Sequence, residues 1–433
     1  MKLSKYNFFY NKKGDPDSII AFNAVTCALA LIDKSDFEEL MRFEKGEINQ
    51  LGNKFANELH HGRFIVEDSI DEKKILKYRQ LISRYNTNGL GLTIAPTLGC
   101  NFRCIYCYES TLDKYQKMDA DVQGSVIQLI ENHIKFIDSL YIAWYGGEPT
   151  LAMDVVEPLS ERIIKICNEN NVKYDASMIT NGYLMTEGLA KKLNSLKVSQ
   201  IQITIDGPKE IHDERRKLVN GEGTFDTIVS NIKKSSKFLN LINLRINLDK
   251  ANEGQLSNMF KIFSGFDPNV HPYLGRVDNA NGRYGEDKCF ETSRFSEINK
   301  KFKNSLSKNT QQIVMQGYPT PIGRACGADA LNSMIIAPNG DLCKCWNDIG
   351  LEGYCIGNIK NMLTLTPNAI LLDYALYDPT EDELCSECKF LPFCMGGCPR
   401  KRLDGVERCN IYKYNIGNYL TGLVDELTKT SAG

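Results

Sequence analysis

The sequence predicts an α/β protein centred on a partial, open (β/α)6 TIM-like barrel, with a mixed N-terminal segment before it and a cysteine-rich segment after it. Three observations lead there. Six short apolar strands alternate with stretches of helical periodicity between residues 91 and 275. A tight group of three cysteines follows the first of those strands, and nine more lie between Cys326 and Cys409, where periodicity fades.

The strands read as Gly91 to Ala95, Ser139 to Trp144, Asp175 to Thr180, Gln200 to Asp206, Asn243 to Leu248 and Val270 to Gly275. Helical spacing fills the gaps at Ala120 to Phe136, Val155 to Asn170, Thr186 to Leu196, Phe225 to Leu239 and Gln255 to Phe263. Such alternation implies a parallel sheet with right-handed crossovers. Six units fall short of the eight of a closed barrel, which leaves the sheet open. Boundaries are expected near 88 and 290, giving segments 1–88, 89–290 and 291–433. In the first, Tyr6 to Tyr10 and Ile19 to Ile32 read as strand-like or mixed, with helices around Phe37 to Phe43 and Asp71 to Tyr85. The last offers one helical reading, Tyr412 to Leu427, and a small apolar core, so metal clusters are expected to hold its fold.

Composition excludes several classes. Hydrophobic residues make up 42% and charged residues 24%, an ordinary globular balance. A net charge of −2 gives no global case for nucleic acid, and Lys233-Lys234 and Lys300-Lys301 read as solvated helix faces. The longest apolar run, Ala21 to Ile32, is too short to span a bilayer, and the first residues lack a signal-peptide pattern. A cytoplasmic protein without a membrane or nucleic-acid partner is expected.

The fifteen cysteines are the anomaly. An odd total without a signal peptide argues against a disulfide framework, and tight clustering argues for metal or iron–sulfur ligation. Cys27, Cys167 and Cys289 stand alone and read as buried structural thiols. Cys100, Cys104 and Cys107 form C-x3-C-x2-C in a loop at a strand's C-terminal end, where parallel α/β folds place their active sites. Three thiolates hold three irons of a [4Fe–4S] cube and leave the fourth open; a zinc site or unrelated thiols are the alternative.

The surroundings decide between these. The loop, with the aromatic Tyr106 before its third cysteine, resembles the signature of the radical S-adenosylmethionine (SAM) superfamily. Gly146, Gly147, Glu148 and Pro149 end the second strand as that family's GGEP motif does. The resemblance implies that this edge binds the SAM amino group, with two glycines that let backbone approach a ligand closely. Asn181, in Thr180-Asn181-Gly182, ends the third strand. Thr204 and Asp206, in Thr204-Ile205-Asp206-Gly207-Pro208, end the fourth. Continuing into His212-Asp213-Glu214-Arg215-Arg216, this resembles the DGP…HDxxR segment of peptide-modifying members. It implies Arg216 as the partner of the SAM carboxylate, a task suited to a bidentate guanidinium. His212 is given no chemistry. Arg245 and Asn247 read as buried polar residues satisfied within the barrel, and Tyr273, Arg276 and Asp278 are candidates by position only.

Near the C-terminus, Cys326 is followed by thirteen residues, Gly340, four residues and Cys345. Then come Cys385-x2-Cys388-x5-Cys394-x3-Cys398 and Cys409. This resembles the SPASM domain, which carries auxiliary [4Fe–4S] clusters in peptide-modifying radical SAM enzymes. Carried over by position, Cys385, Cys388, Cys394 and Cys409 close one cluster, while Cys326, Cys345 and Cys398 hold the other. Some relatives supply a further cysteine just before the equivalent of Cys326, but residues 316–321 contain none. The nearer auxiliary cluster then has an open iron or recruits Cys343 or Cys355. The first ninety residues resemble the winged-helix leader-binding domain of peptide maturases, which adds an extended leader to a sheet edge.

The resemblance implies SAM and three [4Fe–4S] clusters, one of them SAM-binding. The implied partners are a precursor peptide with a leader and an external electron donor such as flavodoxin or ferredoxin. The expected activity is cross-linking of that peptide, with a Cys thioether preferred. A carbon–carbon cross-link, a formylglycine-forming sulfatase-maturing activity and a non-catalytic iron–sulfur carrier or peptide-binding module are the alternatives.

Overall fold

The computed structural model describes residues 1–109, 116–306, 318–364 and 366–431. The chain forms two compact units. The first joins residues 1–84, 292–326 and 377–433, and the second joins 85–291 with 327–376. The N-terminal segment and the last fifty-odd residues thus build one body, where the sequence reading kept them as separate domains.

The second unit contains the barrel. Its six strands are Gly89–Ile94, Ser139–Trp144, Lys173–Ile179, Val198–Thr204, Leu241–Leu248 and Val270–Arg276. They lie parallel, side by side in chain order, and the sheet stays open. Alternate residues, such as Leu90, Leu92 and Ile94 on the first strand, are buried. Two of the helices between strands start on side-chain caps: Asp119 accepts from the Val122 N–H and Thr186 from the Leu189 N–H. Residues beyond 290 extend this sheet instead of leaving it. Ser333–Ile336 lies parallel to the first strand, Ile335 opposite Thr93, and two antiparallel strands, Asp341–Cys343 and Gly357–Asn358, follow it. These strands are only two to four residues long, too short to show a period in the sequence.

In the first unit, strands Asn7–Asn11, Ser18–Asn23 and Leu29–Asp33 form an antiparallel meander. Successive side chains on a strand face opposite ways, and here both faces are covered. Ile20 and Phe22 join Tyr6, Phe8 and Leu76 in a core completed by Leu391, Phe393, Met395, Ile416 and Leu420. Ala21 and Ile32 face a second core with Leu40, Leu59 and Phe64. The first of these cores gives the cysteine-rich segment an apolar base that its own composition does not supply. Buried Asn23 fixes the turn after the middle strand: its Nδ2 donates to Ser4 Oγ, Asn7 Oδ1 and the Arg63 carbonyl, and its Oδ1 accepts from the Val25 and Thr26 N–H groups. Helices Asn53–His61 and Thr292–Leu306 were not read from the sequence. Of the three isolated cysteines only Cys167 is buried; Cys27 and Cys289 are partly exposed, because Cys27 occupies a turn with φ of 62° and Cys289 ends a short turn.

Among the described residues no helix is long and apolar enough to cross a membrane.

Candidate active site

The loop carrying Cys100, Cys104 and Cys107 leaves the first barrel strand and is pinned from two sides. On one side, Phe102–Cys104 forms an antiparallel ribbon with Arg216–Leu218, so that Arg216 faces Cys104 and Leu218 faces Phe102. On the other, the Gly147 and Glu148 N–H groups donate to the Thr97 and Gly99 carbonyls at 3.1 and 2.9 Å. A Cβ on Gly147 would stand 2.4 Å from the Leu98 and Gly99 carbonyl oxygens, and one on Gly146 equally close to Thr97 O. The close approach these glycines permit is to the cysteine loop itself, where the sequence reading had a ligand in mind.

Glu148 is buried and spends its carboxylate on the protein. Oε1 accepts from the Thr150 N–H and the Thr150 and Thr180 hydroxyls, and Oε2 accepts from the Asn181 N–H. It therefore clamps the end of the second strand to that of the third. Asn181 continues the chain of contacts, its Nδ2 donating to Asn101 Oδ1 within the cysteine loop at 2.8 Å.

Tyr106 joins the loop to the fourth and fifth strands. Its hydroxyl donates to Asp206 Oδ2 at 2.5 Å and accepts from Arg216 Nη1 at 2.7 Å and Asn247 Nδ2 at 2.9 Å. Burial, reinforced by the Asp206 and Cys104 charges and opposed by Arg216, holds the phenol well above its usual pKa, so it remains a neutral donor. Thr204 ends the fourth strand opposite Arg245, itself bonded through Nε to Asn247 Oδ1. Gly275 makes room for that guanidinium, since a Cβ there would lie 2.5 Å from Arg245 Nε. Tyr273 donates to Gln202, and Arg276 pairs with Asp278 at 2.8 Å.

The consecutive arginines diverge. Arg215 makes a bidentate pair with Asp249 at 3.1 and 2.8 Å and reaches Asp206 at 3.4 Å. Asp249 also accepts from the Tyr284 hydroxyl. Arg216 is 7% exposed, lies over the Phe102 ring and leaves Nε buried without a partner. An unmatched guanidinium donor in a buried place calls for an anion. His212 is neutral: Nδ1 accepts from the Asp206 N–H, and Nε2 donates to Thr224 Oγ1, whose own proton goes to the Arg216 carbonyl. Burial, then the Arg216 and Arg215 charges, drive its pKa well below the usual range. Sequence reasoning missed Asp249, Asn252, Tyr284 and Glu109. Asn252 Nδ2 bonds the Asp206 and Asn247 carbonyls, and Glu109 is a buried carboxyl that burial pushes up to about 7. None of the four belongs to a motif.

The three loop cysteines suit a cluster. Burial pushes the Cys100 and Cys107 thiols up to about 12, helped by the Glu148 and Glu109 charges respectively, so thiolates there need a positive partner such as iron. Among the described residues no group of three or more His, Cys, Asp or Glu is placed to hold a single metal ion. A cube differs in asking one ligand of each iron.

In the first unit, Cys385, Cys388, Cys394 and Cys409 line one cavity of about 340 Å³. Arg408 Nη2 approaches Cys385 Sγ at 3.9 Å, and Lys413 Nζ approaches Cys409 Sγ at 3.5 Å, charges that suit an anionic cluster. Gly397, at φ of 73°, lets this loop pass the Arg408 carbonyl, which a Cβ would meet at 2.0 Å. Cys398 is exposed and does not line the cavity. Cys326 and Cys398 belong to the first unit and Cys345 to the second. Residues 316 and 317 of the cysteine-free neighbourhood lie outside the described residues. Cys343 is fully buried beside Ala95, Leu98 and Tyr145, and its thiol donates to the Asp348 carbonyl at 3.6 Å.

The chain is similar to several known proteins. The chain is 26% identical over 344 residues to the cysteine-type anaerobic sulfatase-maturating enzyme of Clostridium perfringens, spanning 72% of this chain and 90% of that one. Among solved structures, anSMEcpe with bound AdoMet and Kp18Cys peptide superposes with a TM-score of 0.61 at 22% identity, over 78% of this chain and 99% of its own. Streptococcus suis SuiB bound to precursor peptide SuiA gives 0.55 at 14% identity, over 95% and 99%. Residues 94–261, the stretch that holds this loop and most of this sheet, match the model of the Radical SAM superfamily.

Proposed function

We propose that this chain is a radical SAM peptide maturase that installs a Cys thioether cross-link in a ribosomally made precursor. The observation that carries the reading is the buried, unpartnered Arg216 Nε directly across the ribbon from Cys104. A carboxylate bound beside the cysteine loop would satisfy it, as the amino-acid end of SAM would. Cys100, Cys104 and Cys107 would hold the SAM-binding cluster, with the Gly146-Gly147 edge beside it. When bound, that cluster supplies the electron that cleaves SAM to methionine and a hydrogen-abstracting 5′-deoxyadenosyl radical.

The chain's own residues then have three tasks. Tyr106, Asp206, Asn247 and Arg216 form one buried network that fixes the loop against the strand ends, and positioning is the protein's share of cofactor chemistry. Cys385, Cys388, Cys394 and Cys409 would hold one auxiliary cluster, and Cys326, Cys345 and Cys398 the other. In the thioether step a substrate carbon loses a hydrogen atom to 5′-deoxyadenosyl, and the cysteine thiol loses its proton as the C–S bond forms. An auxiliary cluster held by those cysteines would accept the remaining electron. An external low-potential donor of the flavodoxin or ferredoxin kind would start the cycle. The meander of the first unit supports leader recognition, since Asn7–Asn11 and Leu29–Asp33 are its edge strands and the precursor's leader can add to such an edge.

The second reading is formylglycine formation, favoured by the 26% identity to the sulfatase-maturating enzyme across 90% of that protein. The test is anaerobic reconstitution, dithionite reduction and incubation with SAM and candidate Cys-containing precursor peptides. Release of 5′-deoxyadenosine by wild type and not by Cys100→Ala/Cys104→Ala/Cys107→Ala supports the enzyme. A product that has lost two hydrogens and its free thiol supports the thioether, whereas an aldehyde trapped by hydroxylamine supports formylglycine. No 5′-deoxyadenosine from well-loaded wild type overturns both.

A further inference from the structure

Trp346 immediately follows Cys345 on a short turn of the second unit, and 41% of it is exposed. The turn is firmly held. The Asp348 N–H donates to the Cys345 carbonyl at 3.0 Å, Asn281 Nδ2 to the Asn347 carbonyl at 2.8 Å, and the Tyr374 hydroxyl to Asp348 Oδ2 at 3.0 Å. A single exposed indole is unremarkable by itself. Its neighbour makes the difference: the ring of Tyr145 lies 4.8 Å away at 35°.

Tyr145 directly precedes Gly146-Gly147 and packs with Ala95 and Leu98 at the base of the cysteine loop and with Cys343 and Ile349 around the Cys345 turn. Its phenol is within electrostatic reach of both Cys107 and Cys345. The aromatic pair therefore stands beside the SAM-cluster loop and beside a cysteine assigned to an auxiliary cluster. A substrate carbon that gives a hydrogen atom to one side and an electron to the other must pass through that neighbourhood. Rigid, partly exposed aromatic rings are the side chains that contribute most to binding when covered.

We infer that Trp346, backed by Tyr145, is a substrate subsite that stacks against an apolar or aromatic side chain next to the residue being modified. The inference rests on the maturase reading and adds a specificity residue that no motif marks.

The chain has two tryptophans, and Trp144 is fully buried, so Trp346 is a built-in reporter. The experiment titrates a fluorescein-labelled Cys-containing peptide, one that supports 5′-deoxyadenosine release in the test above, into cluster-loaded, SAM-saturated enzyme, and follows tryptophan emission with the unlabelled peptide. Trp346→Ala is expected to weaken binding about three- to tenfold, the range of an aromatic stacking contact, and Trp346→Phe to recover most of it. Wild-type emission should change on peptide addition, and that of Trp346→Phe should not. Equal affinities in all three proteins, or an emission change that persists in Trp346→Phe, would overturn the subsite while leaving the maturase intact. Absence of peptide binding by wild type overturns both.

Discussion

Arg216 sits directly across a two-stranded antiparallel ribbon from Cys104, and its Nη1 reaches the hydroxyl of Tyr106 at 2.7 Å. One residue thus touches the cysteine loop through backbone register and through a side chain, with a donor left over. Arg215, the preceding residue, turns the other way to Asp249 and Asp206. Arg215 is thus satisfied within the fold, while Arg216 keeps a donor for the ligand carboxylate proposed above.

The ligand-facing job predicts the behaviour of Arg216 variants. A hydrogen bond to a charged group contributes about 1.5–3 kcal/mol, so Arg216→Ala should raise the SAM dissociation constant roughly 10- to 150-fold. Arg216→Lys should recover only part, because an ammonium lacks the planar fork. Equilibrium dialysis with labelled SAM, at matched iron content, reads this. Wild-type affinity in Arg216→Ala would remove the residue from the SAM site.

The fold-facing job predicts a different pattern for Arg215. Breaking a buried pair costs about 3–5 kcal/mol because one charge is stranded, whereas replacing both partners with apolar groups costs far less. Asp249→Asn should therefore lower resistance to denaturant sharply, and Arg215→Met/Asp249→Leu should regain part of the loss. Denaturation of the anaerobic protein gives the coupling. Additive losses would show that the pair is held by its neighbours, Asp206 and Tyr284, and not by mutual attraction.

How much of this was legible follows from where the physics is local. The six strands were readable because burial on a strand has a two-residue period, and their observed ends differ from the reading by two residues at most. The cysteine loop, the glycine pair and Arg216 were readable because their spacing is fixed within one loop or strand end. Asp249 and Tyr284 were not, since each becomes meaningful only when the fifth strand's end and a later loop meet Arg215. The shared core of Phe22, Leu76, Phe393 and Leu420 was equally invisible. It joins residues hundreds of positions apart whose types would suit any core.

His212 gives a pH prediction. Its folded pKa lies well below the usual histidine value, with burial as the chief cause and the two arginines next. A base of depressed pKa takes up its proton more readily when unfolded. The stability it contributes is therefore complete above the unfolded value of about 6.5 and declines as pH falls below it, at up to about 1.4 kcal/mol per pH unit. His212→Gln should show a shallower loss between about pH 6.5 and about pH 5. Parallel slopes for wild type and variant, measured by denaturant unfolding of the apoprotein, would place the proton uptake elsewhere.

Iron content separates the cysteine sets. A [4Fe–4S] cluster bound by Cys385, Cys388, Cys394 and Cys409 contributes about four irons, so Cys388→Ala should lower the reconstituted content by about that amount. Cys343 makes the opposite prediction. Its thiol is fully buried in an apolar cluster and donates to the Asp348 carbonyl, and a ligand to the nearer auxiliary cluster would have to give up that partner. Cys343→Ser should therefore keep the wild-type iron content and the wild-type spectrum of the reduced clusters by electron paramagnetic resonance. Cys345→Ser, two residues on and with an extended backbone conformation at φ of −122°, should lose iron. Loss of iron in Cys343→Ser at unchanged protein stability would identify Cys343 as the fourth ligand and close the open iron, and with it the route by which a substrate thiolate could bind there.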